Sequence, residues 1–380
     1  MNWELDSEHA EFRSVCRRFV DHHVRPTVDQ AETEGHPSDA LMKEMGAAGL
    51  LGLLIPAEFG GSGGDCLSVT LLAEELARAS GGIAITALVS AYMAGPHITR
   101  FGNADQQARW LPGVSSGESI VAIAITEPGT GSDVAGITTT AKACDGGYRI
   151  NGRKMFITNS GLADVIIVAA KTDPSAGHAG ITTFLVEPGT SGMMFGSPLR
   201  KLGWHASDTR EVVFDDCWVP EQAVLGEVGR GFYQIMGAFE LERVGLAAMG
   251  IGHAAECLSM CASYATNRHA FGTPLSGMQS IRHKLAEMTA ELEVARLYTY
   301  QAAARLDGGH KDATRSAAIA KYWVPRATQH IVDDALQIFG GSGFVEENPV
   351  ARHYRDVRVL RIGGGTDEIQ LEILGKEFLR

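Results

Sequence analysis

The chain reads as an α+β multidomain protein. An N-terminal α-helical domain over residues 1–117 precedes a middle antiparallel β-domain over 118–228, and a C-terminal α-helical bundle follows over 229–380. Three observations carry this reading. Apolar residues recur at helical spacing in the first and last stretches, short β-branched runs crowd the middle one, and no long helical pattern separates those runs.

In the first block, Phe12, Val15, Phe19 and Val20 fall on one helical face, as do Leu41, Met45 and Leu50, with Pro26 and Pro37 as punctuation. Gly60-Gly61-Ser62-Gly63-Gly64 reads as a flexible loop. Leu67 to Ala79 reads as a helix with Glu74 and Glu75 on its polar side, and Ala79 to His97 is rich in small residues, as in closely packed or cavity-lining helices. The character changes after Pro112. Val121 to Thr126 predicts a buried strand, Ile137 to Ala143 is rich in β-branched residues, and Tyr148–Ile150 and Lys154–Thr158 flank Asn151-Gly152, which predicts a hairpin turn. Asp164–Ala170, Ile181–Val186 and Glu211–Phe214 continue the strands. From Gly229 the pattern is helical again: Ile281, Leu285, Met288, Leu292, Ala295 and Tyr300 form one stripe, Ala313 to Gly340 a second segment, and Ile369 to Arg380 a short last one.

Composition narrows the function. The 380 residues are 45% hydrophobic and 21% charged, as expected for a globular chain, and carry a net charge of −12. No basic run exceeds Arg17-Arg18, so no nucleic-acid partner is expected. The six cysteines are scattered without a CxxC, which predicts neither a disulfide framework nor a metal site; Cys257 and Cys261 read as two buried small apolar residues. The first residues lack an apolar leader core, and no uninterrupted run of 18 apolar residues occurs. The expectation is a soluble cytoplasmic protein without a membrane span.

Three glycine-rich stretches stand out. Ile125-Thr126-Glu127-Pro128-Gly129-Thr130-Gly131-Ser132-Asp133 directly follows a strand, and its small residues and hydroxyls can approach a planar or phosphorylated ligand. Its glycine spacing is not that of a dinucleotide-binding βαβ unit. Gln337-Ile338-Phe339-Gly340-Gly341-Ser342-Gly343-Phe344 ends a helix, where a glycine cap and turn are the simplest reading. Gly363-Gly364-Gly365-Thr366-Asp367-Glu368 follows an apolar run, and its lack of side chains allows a close backbone approach or positive φ.

Taken together, these stretches resemble the acyl-CoA dehydrogenase family. The first resembles its N-terminal signature, and Gln337 to Asp356, with Glu347, Arg352 and Asp356 at matching intervals, its second. The similarity continues through Lys154–Asn159, Leu241-Glu242-Arg243, Arg268–Gly272 with Gln279, and Gly365-Thr366 with Ile369-Gln370. The resemblance implies a C-terminal four-helix bundle, non-covalently bound FAD and a homotetramer. It also implies α,β-desaturation of an acyl thioester, with electrons passing on to an electron-transferring flavoprotein, in fatty acid or branched-chain amino acid metabolism.

Matched position by position, the resemblance places Ile125, Thr126, Gly131, Ser132, Phe156, Ile157 and Thr158 at the flavin. Thr126 meets the pyrimidine edge, Phe156 packs on the ring system and Thr158 lies near N5. Arg268, Phe271, Gln279, Gln337, Gly340 and Gly341 would reach the cofactor of a neighbouring subunit. Thr366 and Glu368 would lie on its phosphate and ribose side, with Glu368 nearer a ribose hydroxyl than the pyrophosphate. Ser132, Glu240, Arg243 and Gly365 would meet the substrate, Gly365 through its amide on the thioester oxygen.

The chain departs from the commonest family pattern at one position. Most members carry the catalytic glutamate immediately before the Gly-Thr of the C-terminal loop, where this chain has Gly364. An isovaleryl-CoA-type minority supplies it from a helix, just before an arginine, and Glu242 stands there before Arg243. The resemblance thus points to Glu242 as base, with Glu240 as a second carboxylate. A solvated Glu242 paired with Arg243 or Lys201 is the alternative. A carrier-protein thioester, an oxidase or monooxygenase variant, and a catalytically weak subunit of a heteromeric dehydrogenase are the competing readings. The small residues around Gly81 to Gly95 suggest room for a branched or longer acyl group, and His205 and Trp204 fall either near the pocket or at the surface.

Overall fold

A computed structural model describes residues 5–379; the first four residues of the chain and Arg380, assigned above to the last helix, lie outside the described residues. The opening block is helical: α1 (Ser7–Phe19), α2 (Val28–Glu34), α3 (Asp39–Ala47), α4 (Cys66–Ala79), α5 (Gly81–Leu88), α6 (Gly95–Phe101) and α7 (Ala104–Ser116). Side-chain caps define several starts. Asp65 accepts from Ser68 N ahead of α4, Ser80 from Ile83 N ahead of α5, and Asn103 with Gln106 forms a capping box on α7. A π-helical turn at Val89–Ala94 joins α5 to α6.

Position 74 overturns an expectation. Glu74 and Glu75 do not face water: they are 0% and 1% exposed. The face of α4 that reads as polar is covered by α1 and α9, whose arginines meet the carboxylates. Glu74 accepts from Arg13 at 2.6 Å and from Arg296 at 3.1 Å, and also from the Tyr300 hydroxyl; Glu75 accepts from Arg13 at 3.0 Å and Arg17 at 2.8 Å.

The middle block is one sheet of β1 (Val121–Ala124), β2 (Thr140–Cys144), β3 (Gly147–Thr158), β4 (Val165–Lys171), β5 (Ile181–Val186), β6 (Met193–Phe195), β7 (Thr209–Pro220) and β8 (Val224–Leu225). Its order is β6-β7-β3-β2-β4-β5-β8, with β1 added beside β4. The ladders are antiparallel except where β4 meets β1 and the end of β2, which pair with it in parallel. β1 enters directly from α7 and packs on the helical domain, so it lies along β4 without a hairpin. β4 is buried along Val165–Ala170 because its two faces serve two cores. Ile166, Val168 and Ala170 pack with Ala122, Phe184 and Phe214, whereas Val165 and Ile167 join the helical core.

Asn151-Gly152 is not a turn. The β2–β3 reversal is at Asp145-Gly146, and Asn151-Gly152 lies inside β3, where the register with β7 shifts. Gly152 has φ 150°, and a Cβ there would lie 2.7 Å from Thr139 Cα, so its missing side chain serves a bulge and a close strand approach.

The C-terminal block contains α8 (Gly231–Asn267), the short hairpin β9 (His269–Ala270) and β10 (Thr273–Pro274), α9 (Gln279–Asp307), α10 (Ala313–Phe339), α11 (Pro349–Asp356) and α12 (Asp367–Phe378). α8 packs on α10, α9 and α4, joining the last block to the first. Two helical stretches, Gly81–Phe101 and Gly231–Asn267, hold 18-residue windows of mean hydropathy 1.2 and 1.3 that are 100% and 72% buried within the protein. They are its core helices. Cys257 and Cys261 are both fully buried on α8, as expected.

Candidate active site

The C-terminal loop after α11 meets α8 and α10 at Gly364. Its φ is 65°, a conformation that costs an L side chain about 1–2 kcal/mol. A Cβ there would lie 2.5 Å from Leu246 Cδ1, 3.2 Å from Glu242 Oε1 and 3.4 Å from Lys321 Cε. The Glu242 carboxylate therefore sits against the point from which a side chain at 364 would grow. Burial pushes the Glu242 pKa above the usual carboxylate range, against the opposing charges of Lys321 and Arg243.

Glu242 forms no ion pair within 4 Å among the described residues. The solvated pair imagined above is absent: Lys201 donates to Ser207 O at 2.5 Å, and the buried Arg243 lies over Phe239. Glu240, one face round on α8, accepts from Thr314 of α10.

Lys321, which sequence reasoning missed, is fully buried beneath the loop. It donates to Leu360 O at 2.6 Å and Gly365 O at 3.1 Å. Its signal is the spacing Ala317, Lys321, Val324, Thr328, which sets one lysine in the buried stripe of α10.

The sheet edge supplies a second group. After β1, Thr126 O accepts from Met155 N of β3 at 2.8 Å, so the loop lies along the strand carrying Phe156, Ile157 and Thr158. Ile157 points into the sheet core, whereas Phe156 is 65% exposed at φ 61°. Among the described residues, the half-exposed Thr126 and Thr158 hydroxyls have no hydrogen-bond partner. Gly131 and Ser132 are exposed at the loop tip.

Below the loop, Lys154 and Glu127 form a buried pair that sequence reasoning also missed. Lys154 Nζ donates to Glu127 at 2.8 Å and to Ile125 O at 3.0 Å, and the carboxylate accepts from Thr138 N at 2.6 Å and Thr139 N at 2.9 Å. Burial alone would raise Glu127, but Lys154 holds it down to about 2. Burial pushes Lys154 down to about 8. This group is tied to α5 through Asn159, which donates to Thr86 O at 2.9 Å. α5 in turn packs on α8.

The remaining candidates lie elsewhere. Arg268 is 26 residues beyond Glu242 on α8, about 39 Å of helix. Tyr264 stacks on Phe339 at 4.3 Å, bringing the α8–β9 junction and the end of α10 to one end of the bundle. Arg268, Phe271, Gln279, Gln337, Gly340 and Gly341 are all exposed there, Phe271 at 99%. Thr366 caps α12 through Ile369 N at 3.4 Å, with Glu368 exposed in the first turn.

Trp204 is not at the surface. It is buried, its backbone N–H donating to Asp356 at 2.6 Å, and His205 contacts Lys201 O at 3.0 Å. In the second signature, Asp356 thus ties α11 to the middle block, and Arg352 ties it to the first by donating to Ala79 O at 3.2 Å.

Three family profiles match in sequence order: acyl-CoA dehydrogenase N-terminal domain over 6–118, middle domain over 122–217 and C-terminal domain over 229–379. A short-chain specific acyl-CoA dehydrogenase of Megasphaera elsdenii is 39% identical, covering 100% of both chains. An isovaleryl-CoA dehydrogenase of Oryza sativa subsp. japonica is 37% identical over 99% of this chain and 92% of its own length. A solved FAD complex of PigA, 30% identical, superposes with a TM-score of 0.95 over 100% of this chain and 99% of the other. The chain belongs to the acyl-CoA dehydrogenase family, FAD flavoproteins that oxidise CH–CH bonds.

The sheet edge suits that cofactor. An exposed aromatic ring at positive φ and two unpartnered hydroxyls offer an apolar face and polar edges to a planar, heteroatom-rimmed ring.

Proposed function

We propose that the chain desaturates an acyl-CoA between its α and β carbons, with Glu242 as the base. The observation that carries the assignment is the Glu242 carboxylate 3.2 Å from the missing Cβ of Gly364. Two chain positions far apart in sequence thus address one point, and the helix supplies the carboxylate that the loop lacks. The raised pKa of Glu242 suits a base that must accept a proton from a weak carbon acid and release it again. Gly365 N–H is the donor to the thioester oxygen, where charge builds as the proton leaves. Ser132, Arg243 and Glu240 contact the carrier arm.

Thr126, Phe156, Ile157 and Thr158 would hold the flavin ring system, with Ile125, Gly131 and Ser132 shaping the loop above it. Thr366 and Glu368 would meet its phosphate and ribose side. When bound, FAD supplies the hydride acceptor. Arg268, Phe271, Gln279, Gln337, Gly340 and Gly341 lie too far from Glu242 to join the same site, so they serve a partner copy in a homotetramer. An electron-transferring flavoprotein is the oxidant, and the enzyme is cytoplasmic without a membrane span. An isovaleryl-CoA-type branch follows from the place of the base.

Anaerobic mixing of the purified holoprotein with straight and branched acyl-CoA thioesters, and with the same acyl groups on a carrier protein, tests this reading. Bleaching of the flavin bands by the CoA series is expected. No bleaching by any CoA thioester would contradict it, and bleaching by carrier-bound thioesters alone would transfer the activity to them.

A further inference from the structure

We propose that the buried His253 and His353 form a neutral clasp between α8 and α11 that opens when the protein takes up protons, loosening the two elements that bring Glu242 and Gly364 together. Its consequence for catalysis rests on the role proposed above for Glu242; the clasp itself does not.

The two imidazoles are 0% and 1% exposed, and their Nδ1 atoms lie 2.7 Å apart with the rings at 76°. At that separation one nitrogen must donate and the other accept, so the pair shares one proton. Neither Nε2 has a partner among the described residues. Trp204 decides which ring donates. A Cβ at Gly81 would lie 2.7 Å from Trp204 Nε1 and 2.9 Å from His253 Nε2, so both atoms border one small space that the glycine leaves open. The indole N–H only donates, so the His253 Nε2 beside it is the bare nitrogen. His253 then carries its hydrogen on Nδ1 and gives it to His353 Nδ1, which leaves the His353 hydrogen on Nε2. Any further proton therefore meets a donor: the indole N–H at His253 Nε2, or the His253 N–H at His353 Nδ1.

No carboxylate receives such a proton. Burial holds His253 down to about 3, with Arg352 acting in the same direction. Burial likewise holds His353 well below the usual histidine value, helped by His253, Arg352, Arg25 and Arg78. The acidic groups around the pair are engaged elsewhere. Glu256 of α8 accepts from Arg25 at 2.9 Å and from Arg78 of α4 at 3.1 Å, and Asp29 of α2 lies 3.6 Å from Arg352. Glu32 of α2 accepts from Ala206 N at 3.2 Å and lies 3.7 Å from His205, while Asp208 pairs with Arg210 at 2.7 Å. α5 carries no titratable side chain. Asp356 of α11 is taken by the Trp204 backbone N–H, with Arg355 and Lys201 nearby. Burial raises Asp356 to about 7, so it titrates in the opposite sense.

The proposed site hangs from the two clasped elements. Glu242 stands 11 residues before His253 on α8, and Gly364 stands 11 residues after His353, on the chain leading out of α11. The sign of the pH dependence follows from the depressed values. Below the ordinary histidine value of 6.5 the unfolded chain binds more protons than the folded one. The clasp's contribution is thus complete above about 6.5 and shrinks as pH falls from there toward the folded value.

The test compares wild-type, His253→Asn/His353→Asn, His353→Asn and Glu242→Gln holoenzymes at one protein concentration. Asparagine keeps a hydrogen-bonding group at each position and takes up no proton. Urea unfolding, FAD release followed by fluorescence, and flavin reduction by the acyl-CoA that bleaches wild type fastest are measured from about pH 8 to about pH 5. The unfolding constant of wild type should rise with acid more steeply than that of the double variant, by about tenfold per pH unit for each histidine. FAD release should follow the same order, with His353→Asn between the two. Reduction by wild type should also fall more steeply in acid than reduction by the double variant, since Glu242 titrates in both.

Equal unfolding slopes for wild type and the double variant would overturn the clasp. If the double variant does not fold, His353→Asn decides by the same slope. Unequal unfolding slopes with equal reduction profiles would overturn the link to the site. Glu242→Gln keeps the clasp and should unfold with the wild-type profile. Failure of the base reading shows separately, as wild-type bleaching by Glu242→Gln, and leaves the unfolding slopes to judge the clasp.

Discussion

At the scale of single residues, Gly364 is informative for what it leaves out. Its vacant side-chain position is bordered by Leu246, Glu242 and Lys321, so even a methyl group must displace one of them. Gly364→Ala combines an αL penalty of about 1–2 kcal/mol with a contact at 2.5 Å to Leu246. A fall in Tm is expected by calorimetry, together with slower flavin reduction because Glu242 is pushed aside. The raised pKa of Glu242 also sets a sign: the base works only when ionised, so reduction must slow as pH falls through that raised value. A reduction rate that does not fall as the pH is lowered would contradict it. The identity of the vacancy was legible in the sequence, from Gly364 and Glu242-Arg243 together. Lys321 was not, because its acceptors are backbone carbonyls 39 and 44 residues away.

At the scale of elements, β3 and the loop before it show how a sheet edge is made rigid enough to present Thr126, Phe156 and Thr158. Lys154 is 0% and Glu127 3% exposed, and together they take up Ile125 O and the Thr138 and Thr139 amides. Removing one member of a buried pair leaves an uncompensated charge, so Lys154→Met should cost about 3–5 kcal/mol and release FAD more readily. Chemical denaturation and flavin retention on gel filtration measure both. Glu127 has a folded pKa depressed from 4.5 to about 2, so its contribution is fully present above 4.5 and is lost as pH falls toward 2. Wild-type stability should fall across that window, and the Lys154→Met variant should fall less steeply. Element type was readable in the longer stretches because period-2 and helical patterns are local. Asn151-Gly152 misled because a residue that tolerates positive φ fits a bulge as well as a turn, and only the partner strand decides which.

At the scale of the molecule, three blocks are held together by groups distant in sequence. Arg13 and Arg17 of α1 and Arg296 and Tyr300 of α9 converge on the buried Glu74 and Glu75 of α4, joining the first block to the last, while the Trp204–Asp356 and Asn159–Thr86 bonds tie in the middle block. Helical periodicity assigns a charge to water by default, so no local pattern could place those carboxylates inside. The order of the blocks was legible, and so was the family, because both rest on many spaced motifs. A site shared between copies is implied only by the resemblance; the structure supplies a distance, with Arg268 about 39 Å of helix from Glu242. If the exposed group at the bundle end completes a partner's cofactor site, Arg268→Ala with Phe271→Ala should lose FAD while each chain stays folded. Analytical ultracentrifugation should give wild type about four times the 40.5 kDa chain mass. A flavin-replete monomer would contradict the shared site.

Under the proposed function Glu242, arriving from α8, removes the α-proton in place of the carboxylate missing at Gly364. Rapid anaerobic mixing of wild type and Glu242→Gln with a saturating acyl-CoA tests it directly, following the flavin absorbance. The glutamine variant should bind FAD and substrate yet bleach at least about 10²–10⁴ times more slowly. Bleaching at the wild-type rate would show that some other group takes the proton.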